Sequence, residues 1–261
     1  MARRKGADNA MNSNRIHLYE THLHTAEASA CARWTGAEAA RACRAAGYTG
    51  IVVTDHFVGG NTGIDRSLPW IAWVNAFEKG YLHAKQEGDR IGLQVFFGWE
   101  AGYKGTEFLV YGPDADWLRA HPEIRDATVE EQFRLIRAES GLVVHAHPFR
   151  EEPYIPAIRL FPDLVDAVEV CNATHSSPKS VSHNQPSYDR LALAYAQRHG
   201  LPMTAGSDIH SSLMLDGGMA FHRRLTDLQD LIRAIREREP CFLLDGSTGS
   251  SLLSGGPAGI E

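Results

Sequence analysis

Histidines and carboxylates recur in this sequence at the ends of short apolar runs. "RIHLYETHLH" closes on His22 and His24, and "GIVVTDHF" carries Asp55 and His56. "VFFGWE" ends at Glu100, "GLVVHAHP" holds His145 and His147, "DAVEVCN" holds Glu169 and Asn172, and "PMTAGSDIH" ends on Asp208 and His210. In a strand, residues i and i+2 face the same way. His22 with His24, and Asp208 with His210, can therefore each grip one cation as a pair. His145 and His147 share that spacing, with Pro148 turning the chain directly after them. Glu100 is the candidate to bridge two ions, because a carboxylate has two oxygens to share. A lone histidine at any one of these places is more often a hydrogen-bonded structural residue. Six strand ends carrying such groups are another matter, since burying so many ionisable side chains together without a cation is costly. Imidazole and carboxylate together suit zinc, manganese or iron.

Elements must exist to carry these groups. The β-like runs named above, with "TEFLVYG", are short and several are nearly continuous in apolar residues, as in strands buried on both faces. Helical stretches separate them. "TGAEAARACRAAG" opens on a capping box, Thr35 with Glu38, and closes at Gly47; "TVEEQFRLIRAESG" repeats the design with Thr128, Glu131 and Gly141. "SYDRLALAYAQRHG" and "LTDLQDLIRAIRERE" are amphipathic at helical spacing. There is no internal repeat and no Pro-rich linker. The expectation is one domain of β/α units over 15–244, with disordered tails at 1–14 and, rich in Gly and Ser, at 245–261. No glycine-rich phosphate loop follows the first strand, which weakens an open nucleotide-binding sheet. Polar groups gathered at the C-terminal ends of different strands point to a β/α barrel.

A net charge of -6 gives no general attraction to nucleic acid, and none is expected as a partner. The four cysteines, Cys31, Cys43, Cys171 and Cys241, form no CxxC pair and fit a reducing cytoplasm. The basic start is followed by no apolar h-region, and no run is long enough for a membrane span.

The segments "THLHTAEAS", "GIVVTDHF", "FFGWEAG", "VHAHPFR", "VEVCN" and "TAGSDIHS", spread from about Ile16 to Ser211, resemble the PHP family, the polymerase and histidinol phosphatase domain. The resemblance implies an α/β fold, a distorted (β/α)7 TIM-like barrel. It also implies two or three divalent metal ions and hydrolysis of phosphate esters. Carried over residue by residue, it implies His22, His24, His56, Glu100, His147, Asp208 and His210 as metal ligands, with Asp55 orienting a ligand. The family's HP motif falls on His147 and Pro148, which leaves His145 between a ligand or substrate contact and a core role. There are departures. Glu20 stands where the family usually has Asp. Ser29 and Ala30 stand where many members carry His or Asp, with Glu27 and Cys31 nearby. Glu27 is the candidate replacement ligand, and a solvated loop carboxylate is its alternative. No histidine follows "FLVYGPD", where some members with three ions have one, so a third ion is left open.

The expected activity is that of a metal-dependent phosphoesterase on a small phosphorylated metabolite or nucleotide, with a metal-bridged hydroxide attacking phosphorus. Arg150 would hold the phosphate's remaining charge, its alternative being a rim salt bridge to Glu151 or Glu152. The candidate catalytic residues are thus Glu100, Asp55, Arg150 and Asn172. The long loop "NATHSSPKSVSHNQPS" offers His175, Lys179 and His183 to the site mouth, though each is expected to be solvated. Trp70, Trp73 and Phe77 form a stripe expected to be packing, and His17, His83, His121, His199 and His222 are expected to be structural. Two alternatives stay open: an amidohydrolase-like metallohydrolase, and a non-catalytic metal-binding regulatory PHP domain. The sequence leaves the oligomeric state open.

Overall fold

A computed structural model describes residues 15–180, 183–210, 215–247 and 251–254. The first apolar runs form β1 (His17–Leu23) and β2 (Gly50–Val53), joined through α1 (Gly36–Ala45). Two helices, α2 (Trp70–Phe77) and α3 (Lys79–Ile91), lead to β3 (Gln94–Tyr103) and β4 (Thr106–Tyr111). Next come α4 (Ala115–Ala120), a 3-10 turn at Pro122–Arg125, α5 (Val129–Ala138) and β5 (Leu142–Ala146). Then follow β6 (Ala167–Asn172), the single turn α6 (Ala173–Ser176), α7 (Ser187–His199) and β7 (Met203–Gly206). The chain ends with β8 (Gly217–Phe221), α8 (Leu228–Arg236), β9 (Cys241–Asp245) and β10 (Ser251–Ser254). Both expected capping boxes form, Thr35 with Glu38 on α1 and Thr128 with Glu131 on α5.

The strands make one mixed sheet in the order β10-β9-β8-β1-β2-β3-β4-β5-β6-β7, bent into a nearly closed barrel. Closure is divided between two partners of β1. Its first half pairs antiparallel with β8, from His17 opposite Phe221 to Tyr19 opposite Met219. Its far end meets the segment after β7, where Leu23 bridges Ile209. There His24 N–H donates to the Ile209 carbonyl and Ile209 N–H donates to the His22 carbonyl, both at 3.2 Å. The far end of β1 and the segment after the edge strand β7 are thus drawn together at the rim that carries His22 and His24.

The distortion of the barrel has a specific source. β4 runs antiparallel to both β3 and β5. Only Lys104 and Gly105 separate β3 from β4, and both have positive φ, 53° and 84°, as a two-residue hairpin requires. So short a link cannot make the crossover that a parallel neighbour needs. The run "TEFLVYG" is therefore not a β/α unit, and its first residues start at the site rim rather than ending there.

Strands β2, β5 and β6 are buried along their whole length, as their unbroken apolar runs suggest. The Trp70, Trp73 and Phe77 rings stack in series against Phe57, and this stripe is packing. Within the stretch expected as a C-terminal tail, Ser251–Ser254 pair antiparallel with β9; residues 248–250 and 255–261, like the expected tail at 1–14, lie outside the described residues. Among the described residues no helix is long and apolar enough to cross a membrane.

Candidate metal centre

The polar groups of the strand ends converge. His22 is the penultimate residue of β1 and His24 follows the strand. His56 stands three residues beyond β2, Glu100 lies within β3, and His147 directly follows β5. Asp208 and His210 flank Ile209, the residue that ties the end of β7 back to β1. Four overlapping triads each offer donor atoms within 4.8 Å of one another: His24–His56–His210, His22–His24–Glu100, His22–His147–Asp208 and His56–Glu100–Glu107. Glu100 is the hub. Its Oε1 lies 3.3 Å from His22 Nε2 and 3.1 Å from His147 Nε2. Its Oε2 lies 2.8 Å from His56 Nδ1 and 3.6 Å from His24 Nε2. Asp208 Oδ1 stands 3.1 Å from His24 Nε2 and 3.5 Å from His210 Nδ1.

A surrounding layer fixes the imidazoles. Glu169 Oε1 takes the Nδ1–H of His22 at 2.9 Å, which turns His22 Nε2 toward the cluster. Glu169 Oε2 accepts the backbone N–H of His147 at 3.1 Å. The Asn172 amide donates to the same oxygen at 3.0 Å and reaches Asp208 Oδ2 at 3.5 Å, while its carbonyl accepts from Thr174. Asn172 is therefore spent on positioning two carboxylates and touches no open space: it is fully buried. Asp55 is spent in the same way. Its oxygens accept from Thr25 N, Thr25 Oγ1 and Ser29 Oγ, each at 2.6 Å, and Ser29 Oγ in turn lies 3.4 Å from His24 Nδ1. Glu20 ties the rim from below, accepting from His22 N and Ser207 N at 2.8 Å.

Arg150 lies inside, not at the rim. Its Nη2 donates to Asp208 Oδ2 at 2.7 Å and to Thr174 Oγ1 at 2.9 Å, and its Nε donates to His175 Nε2 at 3.1 Å. His175 must then carry its proton on Nδ1, which lies 2.7 Å from Asp189 Oδ1. The expected rim alternative fails because Glu152 pairs with His183 instead. Of the other loop residues, Lys179 pairs with Asp216, and His175 is buried rather than solvated.

Two expected residues are not brought to the cluster. Glu27 accepts the N–H of Gly36 at the start of α1, at 3.0–3.1 Å, and sits 2.7 Å from His83 Nδ1 on α3. A carboxylate at a helix N-terminus is favoured by the orphan N–H groups and the dipole, so the loop turns it outward. His145 packs among Phe108, Phe161 and Tyr195. The i, i+2 argument fails here because His147 leaves the extended conformation, at φ 28°. Burial pushes the His145 imidazole down to about 3.

Glu107 was missed. It stands at the second residue of β4, 3.8 Å from His56 Nδ1 and 3.6 Å from His147 Nε2. No sequence signal separates it from an ordinary outward-facing strand carboxylate, because it enters the site only through the reversal of β4. A small pocket opens beside it, its lining including Thr106, Glu107, His147, Arg150 and Arg159.

Residues 186–240, which run from the start of α7 through α8, match the PHP-associated family. No curated protein matches the chain by sequence. Solved structures match by fold. A two-domain protein from Bacteroides vulgatus containing a predicted PHP-like metal-dependent phosphoesterase superposes with a TM-score of 0.60 at 14% identity, over 88% of this chain and 65% of that one. The fold is PHP-like. PsfC from Pseudomonas syringae gives 0.55 at 19% identity, over 84% of this chain and 88% of that one. A protein from Bifidobacterium adolescentis, provisionally described as a metal-dependent phosphoesterase, gives 0.51 at 18% identity over 84% and 95%. The chain spans about two thirds of the Bacteroides protein, and identities this low carry the fold and not the reaction.

The PHP-like rim fits divalent ions on its own chemistry. Glu100 Oε2 and His56 Nδ1 are buried 2.8 Å apart, yet neither has a partner in hydrogen-bonding geometry. Buried polar atoms left in that state are rare and need an explanation, and a cation between them is one. The buried groups also shift one another's titration. Burial alone would raise Glu100, but the charges of His56 and His22 outweigh it and hold the carboxyl well below its usual range. Burial alone would lower His22, but Asp208, Glu169 and Glu100 overturn that and raise it well above its usual value. Asp208 is likewise held low against burial, by His22 and Arg150. His24 goes the other way: burial, reinforced by His56, lowers it to about 3, which leaves a neutral ring with a lone pair to donate.

Proposed function

We propose that this chain is a metal-dependent phosphoesterase that hydrolyses a phosphate ester of a small metabolite or nucleotide. The observation that carries the reading is Glu100, whose two buried oxygens each face two imidazoles supplied by separate strand ends. His22, His24, His56, His147, Asp208 and His210 would hold the ions with it. Divalent ions in such a site supply a nucleophile at neutral pH and polarise the phosphoryl oxygens.

The chain's own groups do the rest. Arg150 presents a buried guanidinium between Asp208 and the cavity; with Nη2 and Nε committed to Asp208, Thr174 and His175, its Nη1 is the nitrogen that would reach a phosphoryl oxygen. His175 and Asp189 hold that guanidinium by its Nε, so its orientation is set before substrate arrives. Glu169 and Asn172 keep His22, His147 and Asp208 in place. The central carboxylate is Glu100 rather than a modified lysine, which favours phosphoester chemistry over the amidohydrolase alternative.

The test is a screen of the purified full chain, with manganese, zinc or iron(II) added, against a library of phosphorylated metabolites. Metal-dependent phosphate release that is lost in His24→Ala is the expected result. No release from any ester, with the ions demonstrably bound, would overturn the phosphoesterase reading in favour of the non-catalytic one.

A further inference from the structure

Four neighbouring strands of the sheet, β2-β3-β4-β5, bring His56, Glu100, Glu107 and His147 in that order to the site rim. His56 follows β2 and is bridged to Glu100: Phe57 N–H donates to the Glu100 carbonyl at 2.8 Å, and Glu100 N–H donates to the Asp55 carbonyl at 3.0 Å. On β4, Glu107 stands opposite Gly102 of β3 and opposite Ala146, the residue before His147, of β5. Gly102 is two residues from Glu100, so Glu100 and Glu107 share one face of the hairpin. Two carboxylates thus sit side by side between two imidazoles.

The missing side chain at Gly102 makes this approach possible. A Cβ there would fall 2.8 Å from Gly60 Cα and 3.0 Å from the Gly59 carbonyl oxygen. Glycine lets the turn after His56 lie against the hairpin, and the His56 ring comes with it toward Glu107.

Each carboxylate then spans the same pair of rings. Glu100 places Oε2 2.8 Å from His56 Nδ1 and Oε1 3.1 Å from His147 Nε2. Glu107 places Oε1 3.8 Å from His56 Nδ1 and Oε2 3.6 Å from His147 Nε2. The Glu107 distances are too long for hydrogen bonds, and among the described residues nothing donates a hydrogen bond to its carboxylate. They suit two donors sharing one cation, which stand about 3–4 Å apart when each bond is about 2.1 Å. His56 Nδ1 and Glu100 Oε2, on side chains more than nine-tenths buried, have no hydrogen-bond partner, and both residues offer a donor atom within 4.8 Å of one from Glu107.

We propose that Glu107 is a metal ligand, a second carboxylate that joins Glu100 in spanning the ions held by His56 and by His147. This rests on the metal-dependent reading above and adds to its ligand set. Paired carboxylates supply hard oxygen donors, so this position suits manganese as well as the zinc or iron that imidazoles favour.

The experiment titrates the metal-free full chain, wild type and Glu107→Gln, with manganese and separately with zinc by calorimetry. Glutamine keeps the shape of the side chain and removes the anionic donor. The variant should lose one ion per chain, or bind it about tenfold or more weaker, since removing even a group that only supports a ligand costs that much. Glu130→Gln, at an exposed position of α5, should bind as the wild type does. In parallel, the wild-type chain is labelled at its carboxylates with a carbodiimide and an amine, and the labelled peptides are read by mass spectrometry. With either ion about tenfold above its Kd, labelling of Glu107 should slow by about tenfold while Glu130 is unaffected. That second measurement needs no variant and decides the matter if Glu107→Gln does not fold. Unchanged ion number and affinity in Glu107→Gln, or Glu107 labelling indifferent to both ions, would overturn the Glu107 assignment and leave the metal centre standing. A wild-type chain that takes up neither ion would overturn both.

Discussion

Gly80, in the first turn of α3, is the sharpest place to test the layer that supports the metal centre. A Cβ at this position would fall 1.9 Å from Thr25 Oγ1 and 2.9 Å from Asp55 Oδ2. Helix propensity alone predicts that Gly80→Ala stabilises by at most about 1 kcal/mol. The structure predicts the opposite sign. Forcing a methyl into packed space costs ~1–3 kcal/mol. Breaking the 2.6 Å bond from Thr25 Oγ1 to the Asp55 carboxylate costs ~1.5–3 kcal/mol more, as for other bonds to charged groups. The net expectation is a loss of about 3 kcal/mol, read by urea unfolding of the metal-free chain. Because Asp55 reaches His24 through Ser29, metal affinity should fall as well, read by competition with a chromogenic chelator. Thr25→Ala removes the atom at 1.9 Å, so the pair of substitutions should cost less than their sum by about 1 kcal/mol or more. A Gly80→Ala protein as stable as the wild type, with undiminished metal affinity, would refute the claim that α3 is docked on Asp55.

Glu20→Gln should change the pH dependence of stability. Burial raises the Glu20 carboxyl from 4.5 to about 7 in the fold. Between these values the folded chain keeps a proton that the unfolded chain releases, so this group's contribution falls as pH rises from about 4.5 to about 7. The span corresponds to ~3 kcal/mol that the Glu20→Gln protein should not lose, measured as the difference between urea titrations of the two metal-free chains across that range; parallel profiles would show that Glu20 ionises freely. Arg150→Lys keeps a charge beside Asp208 but loses the planar guanidinium that bonds Asp208, Thr174 and His175 while leaving Nη1 for substrate, and kcat/KM on any phosphoester substrate found should drop by about a hundredfold with metal content unchanged; an unimpaired Arg150→Lys enzyme would remove Arg150 from substrate binding. Glu27→Gln should leave metal stoichiometry intact and cost about 1 kcal/mol at the α1 N-terminus, whereas loss of one bound ion per chain would return Glu27 to the ligand set.

The i, i+2 pair His22 and His24 was legible from its spacing at the end of an apolar run, and both side chains reach the cluster although the pairing of β1 with β2 shifts register between Glu20 and Leu23. The Asp208 and His210 pair was legible for a less secure reason. β7 ends at Gly206, and Asp208 takes a positive φ of 55°, so it is the bridge from Ile209 to Leu23, not strand pleating, that aims both side chains inward. His145 and His147 show the same spacing failing once one φ angle changes. Glu107 could not be ranked from the chain alone, because its place in the site depends on β4 running backward.

By itself the sequence determined which residues are apolar in runs short enough for strands, where two helices begin, and that histidines and carboxylates stand where those runs end. These are local properties, set by side-chain chemistry within a few residues. Tertiary structure decided which of those polar ends meet. It closed the sheet at Ile209, reversed β4 and turned Glu27 onto a helix N-terminus. Such choices depend on contacts between residues far apart along the chain, and no local spacing encodes them.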